Sequence, residues 1–319
     1  MEGDKKMYFS VAGIEVNPFL PPAVAFIISF FTSMAGVSGA FLLLPFQISI
    51  LGFNSPAVSG TNHLFNIVAI PSGVYRYIKE GRMVWPLTWV VIIGTLPGVL
   101  IGAILRIQYL PDPRSFKMFA GVVLLYIGSR MLKNLYEKED SGNSQIRSED
   151  QFQKLVNQSK KESGRGHLPK VHIKKISLLS IEYGFYGQDF RINTAGIMAL
   201  SFFVGIIGGV YGIGGGAIIA PFFISVFKLP VYTVAGAALM GTFVTSAAGV
   251  LFYQLIAPYY PDMAVAPDWA LGFLFGIGGF GGMYCGARLQ KFISARIIKW
   301  ILVVCILFTA AKYIIEFVL

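Results

Sequence analysis

The chain has 319 residues, 55% of them apolar and only 13% charged, with a mean hydropathy of +0.65. Soluble domains carry roughly 25% charged residues, so these proportions exclude an ordinary water-soluble fold. The net charge of +10 does not point to nucleic acid either, because most Lys and Arg collect between apolar runs, where cytoplasmic loops are basic.

Taken in chain order, residues 1–18 read as an N-terminal tail. Asp4-Lys5-Lys6 followed by apolar sequence from Phe19 has the look of a signal peptide, but the run exceeds an h-region of about 7–15 residues and is kept in the fold. Apolar runs follow at 19–52, 57–75, 84–107, 116–135, 195–228, 231–257, 268–287 and 296–318. Each lies near or above the roughly 20 residues that cross a bilayer. The expected fold class is an all-α polytopic protein, multi-pass in the cell membrane.

The first run holds Gly36-Val37-Ser38-Gly39-Ala40, which leads through Leu42, Leu43 and Leu44 into Pro45-Phe46. The second carries Thr61, Asn62, His63 and Asn66; Asn62 and Asn66 are four apart and share a helix face. The third has Gly94, Gly98 and Gly102, a spacing used for close helix packing in lipid. Residues 136–194 are the only sizeable polar region. Glu139 to Gly166 is charged and rich in Ser, Asn and Gln, and is expected to be flexible; Val171 to Tyr186 is expected as a short hairpin or a surface-lying helix. The fifth run holds Gly212-Ile213-Gly214-Gly215-Gly216, then Ile218, Ile219 and Ala220, then Pro221-Phe222. The sixth carries Thr242, Thr245 and Ser246, and the seventh Gly278, Gly282 and Gly286.

Several residue types are assigned ordinary roles. Cys285 and Cys305 lie in apolar runs and form no disulfide framework. His63, His167 and His172 are too scattered for a metal site, and no cofactor is indicated. Arg106, Arg130, Lys228 and Arg288 lie near run ends, where snorkelling to the interface is expected. Trp85, Trp89, Tyr259, Tyr260, Trp269 and Trp300 suit interfacial belts.

The chain is duplicated. With Pro45 set on Pro221, 176 positions apart, the match runs without a gap from Gly36/Gly212 to Val74/Val250. Identical pairs include Gly39/Gly215, Phe46/Phe222, Gly60/Gly236 and Gly73/Gly249. Further on the separation becomes 184, pairing Gly94/Gly278, Gly98/Gly282, Gly102/Gly286 and Leu105/Leu289. Two membrane repeats, 19–135 and 195–319, are thus joined by a 136–194 connector. The basic loop Arg76 to Arg82, the connector and the turn with Arg288, Lys291 and Arg296 read as cytoplasmic, whereas the uncharged-to-acidic stretch Gln254 to Pro267 reads as outside. Arg106 and Arg114 disagree. On this count the repeats are inverted, with both termini outside. Each of 19–52 and 195–228 then starts and ends on one side, as a re-entrant hairpin or two tilted crossings broken at glycine; the alternative is a single kinked crossing with parallel repeats.

A helix that begins just after a glycine break presents unpaired N–H groups and the positive end of its dipole. Two such starts, at Ser38–Phe41 and Gly214–Ala217, related by inversion, would form a positive cavity near the midplane suited to a small oxyanion. The candidate substrate-binding residues are Gly36, Ser38, Gly39, Ala40, Asn62, His63, Asn66, Gly212, Gly214, Gly215, Gly216, Thr242, Thr245 and Ser246. Pro45 and Pro221 are assigned as structural helix breaks. No strand context or acidic partner supports a dinucleotide reading of 212–216, and no residue cluster supports an enzyme.

These duplicated G-x-[SG]-G-[AG]-x4-P segments, each leading into a polar helix, resemble the TauE/SafE sulfite exporter-like family of membrane permeases. The resemblance spans most of the chain outside 1–18 and 136–194. It implies transport of small sulfur-containing anions such as sulfite or organosulfonates, usually as export and without ATP hydrolysis. It places the substrate region at Gly36, Gly39, Pro45, Gly212, Gly214, Gly215, Gly216 and Pro221. Ser38 and Ala40 depart from the full glycine run. The expected partners are a small anionic substrate, the lipid bilayer and a coupling proton or cation, with no nucleic acid; the sequence carries no signal for an oligomeric state. A passive anion channel, or a scaffold whose connector binds a cytosolic partner, are the alternatives.

Overall fold

The computed structural model of the protein describes residues 6–34, 36–136, 144–161, 170–177 and 179–318. The helices are α1 (Leu20–Met34), α2 (Ala40–Ser49), α3 (Ala57–Lys79), α4 (Trp85–Gln108), α5 (Pro113–Tyr136), α6 (Ser144–Lys161), α7 (Thr194–Tyr211), α8 (Gly215–Ser225), α9 (Val231–Ile256), α10 (Trp269–Leu289) and α11 (Ala295–Val318). Six of them, α4, α5, α7, α9, α10 and α11, are long and apolar enough to cross a bilayer. The chain is a predominantly helical, multi-pass membrane protein.

Helix α3 is not among those six, although its sequence reads as a membrane-length run. At 23 residues it is long enough, about 35 Å, but Thr61, Asn62, His63, Asn66 and Ser72 lower its apolarity. Its surroundings explain the difference. Sixteen of its residues are buried, so α3 faces other helices rather than lipid, and its polar groups find protein partners.

Two small sheets lie outside the helical bundle. β1 (Met7–Phe9) and β2 (Ile14–Val16) pair antiparallel, with Gly13 at φ 67° in the turn. Residues 1–18 therefore contain a docked hairpin, not only a tail: Phe9, Ile14 and Val16 are buried, and Ala12 N–H donates to Asp268 Oδ2 at 3.2 Å. The second sheet is β3 (His172–Ile176), β4 (Ser180–Phe185) and β5 (Gln188–Asn193), antiparallel in that order. It extends the expected hairpin by a third strand, because Phe190 and Ile192 continue the alternation that buries Ile181, Tyr183 and Phe185.

The expected flexibility of Glu139 to Gly166 is corrected over 144–161, which forms α6; residues 139–143 and 162–166 lie outside the described residues. The physical reason is an apolar face. Phe152 and Val156, one turn apart, are buried, and Phe152 packs on Tyr232 with ring centroids 4.5 Å apart. Glu149 accepts from Val231 N–H at the start of α9 (2.9 Å) and from Lys299 Nζ (3.1 Å). Helix α6 is docked on the bundle.

The bundle is assembled by contacts that occur twice. On α4, a Cβ at Gly98 or Gly102 would overlap the carbonyls of Phe202 or Ile206 on α7, and one at Gly94 would stand 3.0 Å from Met198 O. On α10, Gly278, Gly282 and Gly286 meet Pro22, Phe26 and Phe30 of α1 in the same way. The glycines of the two sets are 184 positions apart and their partners 176 apart, the separations of the duplication. Numbers rise together in each pair, so α4 runs parallel to α7, and α10 to α1. In contrast α3 and α9 are antiparallel: His63 lies against Gly249, Gly73 against Leu239, and Tyr77 against Gly236.

Glycine is required at these crossings because helix backbones touch. Gly282→Ala would drive a methyl into the Phe26 carbonyl, whereas at Gly73 the nearest atom to an added Cβ is 3.6 Å away. Gly282→Ala is expected to destabilise by about 2–3 kcal/mol and Gly73→Ala by much less, read as thermal unfolding midpoints of the detergent-purified protein.

Candidate functional site

Helices α1 and α7 end in the same motif. Gly36 and Gly212 have φ of 73° and 74°, a left-handed conformation that glycine adopts without a Cβ clash. Val37 N–H returns to Thr32 O and Gly36 N–H to Ser33 O; Ile213 N–H returns to Gly208 O and Gly212 N–H to Gly209 O, at 3.0–3.2 Å. This paired closure is the Schellman motif. Helices α2 and α8 start shortly afterwards, with Gly214 at φ 80° before α8.

Pro45 and Pro221, assigned from sequence as break residues, lie inside α2 and α8. The positive-φ glycines, Gly36, Gly212 and Gly214, lie outside the helices, between α1 and α2 and between α7 and α8. Pro45 has no N–H for the carbonyl four residues earlier, and that carbonyl, Phe41 O, accepts the Tyr211 hydroxyl at 3.4 Å instead.

Asn66 joins the two interruptions. Its Oδ1 accepts from the Ser38 hydroxyl. Its Nδ2 donates to Ile213 O at 3.1 Å and to Ser246 Oγ at 3.0 Å. Ser38 Oγ in turn accepts from Ala40 N–H at 3.1 Å, capping α2. Ser246 Oγ is 3.2 Å from His63 Nδ1. Asn62 donates to Ala40 O at 3.3 Å and accepts from Gln47 Nε2 at 2.7 Å. All these side chains are fully buried. The network puts Ser38, Ala40, Asn62, His63, Asn66 and Ser246 together at the starts of two helices.

The other residues singled out in the sequence divide into neighbours of the network and packing positions. A Cβ at Gly214 would stand 3.0–3.1 Å from Ser246, Thr242 and Thr245, so α9 closes tightly over that glycine. Thr242 and Thr245 donate to Ala238 O (2.9 Å) and Gly241 O (2.8 Å) of their own helix. Gly36 meets Ala235 and Gly212 meets Ser59, residues that are themselves 176 apart. Gly39 packs on Ser29 and Phe65, Gly215 on Thr95, and Gly216 on the Ala238 carbonyl.

Sequence reasoning missed Gln47 and misplaced Arg106. Gln47 is a lone amide on apolar α2, and that isolation was its available signal. Arg106 was expected to snorkel at a run end, as Arg130 and Arg288 do by being exposed. Instead it is fully buried, with Nη1 donating to Leu110 O and its guanidinium 4.1 Å from the Phe116 ring centroid.

Comparison with known proteins gives one family, described as sulfite exporter TauE/SafE, whose model matches residues 22–313. No curated protein and no solved structure matches the chain.

Asn66→Ala strands the Ser38 hydroxyl and the Ile213 carbonyl in a buried setting. A stranded group costs about 1–3 kcal/mol. Asn66→Ala should therefore lower the thermal unfolding midpoint clearly more than Thr242→Val, whose hydroxyl serves only its own helix.

Proposed function

The chain belongs to the sulfite exporter TauE/SafE family, a family of membrane transporters of sulfite or similar anions, and we propose that it is a secondary exporter of small sulfur oxyanions. The anion binds near the bilayer midplane between the starts of α2 and α8. The observation that carries this reading is the Asn66 side chain, which touches both interruptions at once. Ser38 caps Ala40 N–H at α2. Glycine stands at the equivalent position 214, so α8 has an N-cap residue with no side chain to offer. Its first N–H groups and the positive end of its dipole are the anion donors. Asn62, His63, Asn66, Thr242, Thr245 and Ser246 line the same region, and the glycines at 36, 39, 212, 214, 215 and 216 let backbone come close to the ligand.

The repeats are inverted in this proposal. In support, α3 and α9 are counterparts in the duplication and pack antiparallel, so a two-fold axis relating them runs across the helices and lies in the membrane plane. Helix α1 runs parallel to α10, as does α3, whose Leu64 and Val68 meet Gly272 and Gly276. The chain between α1 and α3 must then return, which suits an α1–α2 unit that begins and ends on one side. Segments read as cytoplasmic also touch one another: Val171 N–H donates to Gly81 O, and Gln153 Nε2 to Ile293 O. Segments read as external do likewise, through Ala57 N–H to Ala264 O and Gln108 Nε2 to Tyr260 hydroxyl. The domain plan is two membrane repeats, 19–135 and 195–319, with a cytoplasmic connector at 136–194, and a proton or cation couples the movement.

Purified protein in liposomes is expected to move labelled sulfite or a sulfonate, and to accumulate it against its gradient when a proton or cation gradient is imposed. Downhill flux alone would make it a channel. No flux of any small oxyanion would end the transport reading. Gly214→Val is expected to cut flux by about tenfold or more, the equivalent of one lost charge-assisted bond, because positive φ and three close neighbours leave the side chain no room. Undiminished flux in that variant would remove α8's start from the site.

A further inference from the structure

The duplication supplies an internal control at the two ends of the α3–α9 pair. Towards the connector, the residues are Ala235, Leu239 and Tyr77, with Arg82 above the Tyr77 ring at 4.7 Å. The Tyr77 hydroxyl donates to Ser33 O at 2.9 Å. Arg82 is paired with Glu80 at 2.7 Å and also reaches Gln290 and the Ala287 carbonyl. The Arg82 charge there has a carboxylate partner, although its Nε and the nearby Tyr186 hydroxyl make no hydrogen bond. Towards the opposite end, the duplication places Ser59, His63 and Tyr253 where Ala235, Leu239 and Tyr77 stand, and Arg106 where Gln290 stands.

That second end is rich in donors and poor in acceptors. Arg106 is fully buried, yet its Nε and Nη2 have no hydrogen-bond partner, and neither does His63 Nε2. No carboxylate pairs with Arg106 among the described residues. Asp112, whose charge acts on it from the loop, is exposed and receives Ser115 N–H at 2.8 Å. Tyr253 lies within reach of the Arg106 charge and beside the Ser59 hydroxyl, and its ring centroid is 6.0 Å from that of His63. Ser59 also abuts Gly212. From the other side, Phe116 under Arg106 leads to Tyr211, and Tyr211 to Phe41, by ring contacts of 6.0 and 6.1 Å. Arg106 is thus linked by direct packing to both interruptions. A buried cation without a counter-charge is costly, and a guanidinium and hydroxyls are groups able to donate to an oxyanion.

We propose that Arg106, with Ser59, His63 and Tyr253, forms a second anion station, on the side of the helix interruptions away from the connector. Its ligand is a small oxyanion of the sulfite or sulfonate kind, held by the guanidinium edge and the two hydroxyls. The proposal rests on the transport reading for its choice of ligand. The station is one-sided: Gln290 takes the place of Arg106 at the other end, and the arginine found there, Arg82, is paired with Glu80.

The test is equilibrium binding of sulfite to the detergent-purified protein, by calorimetry and by ligand-dependent thermal stabilisation, alongside liposome flux. Arg106→Gln is expected to weaken binding by about tenfold or more, the loss of one charge-assisted contact. Arg106→Lys should recover part of it. Tyr253→Phe, which keeps the ring, should weaken binding without lowering the unfolding midpoint of the ligand-free protein; it keeps the question open to decision if Arg106→Gln fails to fold. Equal sulfite affinity in wild type, Arg106→Gln and Tyr253→Phe overturns the station and leaves the transport reading standing. Wild-type protein that binds sulfite through Arg106 but moves none retains the station and ends the transport reading.

Discussion

A helix interrupted inside a bilayer must have its backbone groups satisfied by protein, because lipid offers nothing to bond. This constraint organises the molecule. The ends of α1 and α7 satisfy their own carbonyls through identical glycine-closed turns. The first N–H groups of a helix lack the usual partner one turn back, and at α2 those of Phe41 and Leu42 turn to the carbonyls of Ser38 and Gly39. Ser38 meets part of that need in the first repeat, and Asn66 stitches the region together. Around the starts, Asn62 and Asn66 of α3 serve the carbonyls of Ala40 and Ile213. The constraint explains why a helix with Asn62, His63 and Asn66 sits at the centre of an apolar protein.

The two repeats share a frame but not a chemistry. Contacts between glycines and carbonyls recur at matched positions, so the frame has been kept. The side chains that face the space around α3 and α9 have diverged, with Ser59 and His63 on one side answered by Ala235 and Leu239 on the other. A symmetric scaffold with unlike linings can treat its two sides differently without a different fold at each.

Much of the frame could be read from residues alone, because it rests on features with strong local signatures. The glycine runs marked where α1 and α7 end, and the 184-residue spacing of Gly94/Gly278 and its fellows marked the close crossings. What could not be read depends on partners distant in the chain. The charged stretch around Glu149 reads as solvent-exposed until Val231 and Lys299 are placed beside it. Arg106 reads as an interfacial cation until Phe116 and Leu110 fold over it. Pro45 and Pro221 read as breaks yet lie inside helices, and at Pro45 the Tyr211 hydroxyl serves the carbonyl that proline abandons.

The crossed pairing of the bundle bears on how the chain is born. The glycine face of α4 fits α7, made some hundred residues later, and α1 waits for α10. Neither half is complete by itself, because the closest-fitting surface of each is met only by the other.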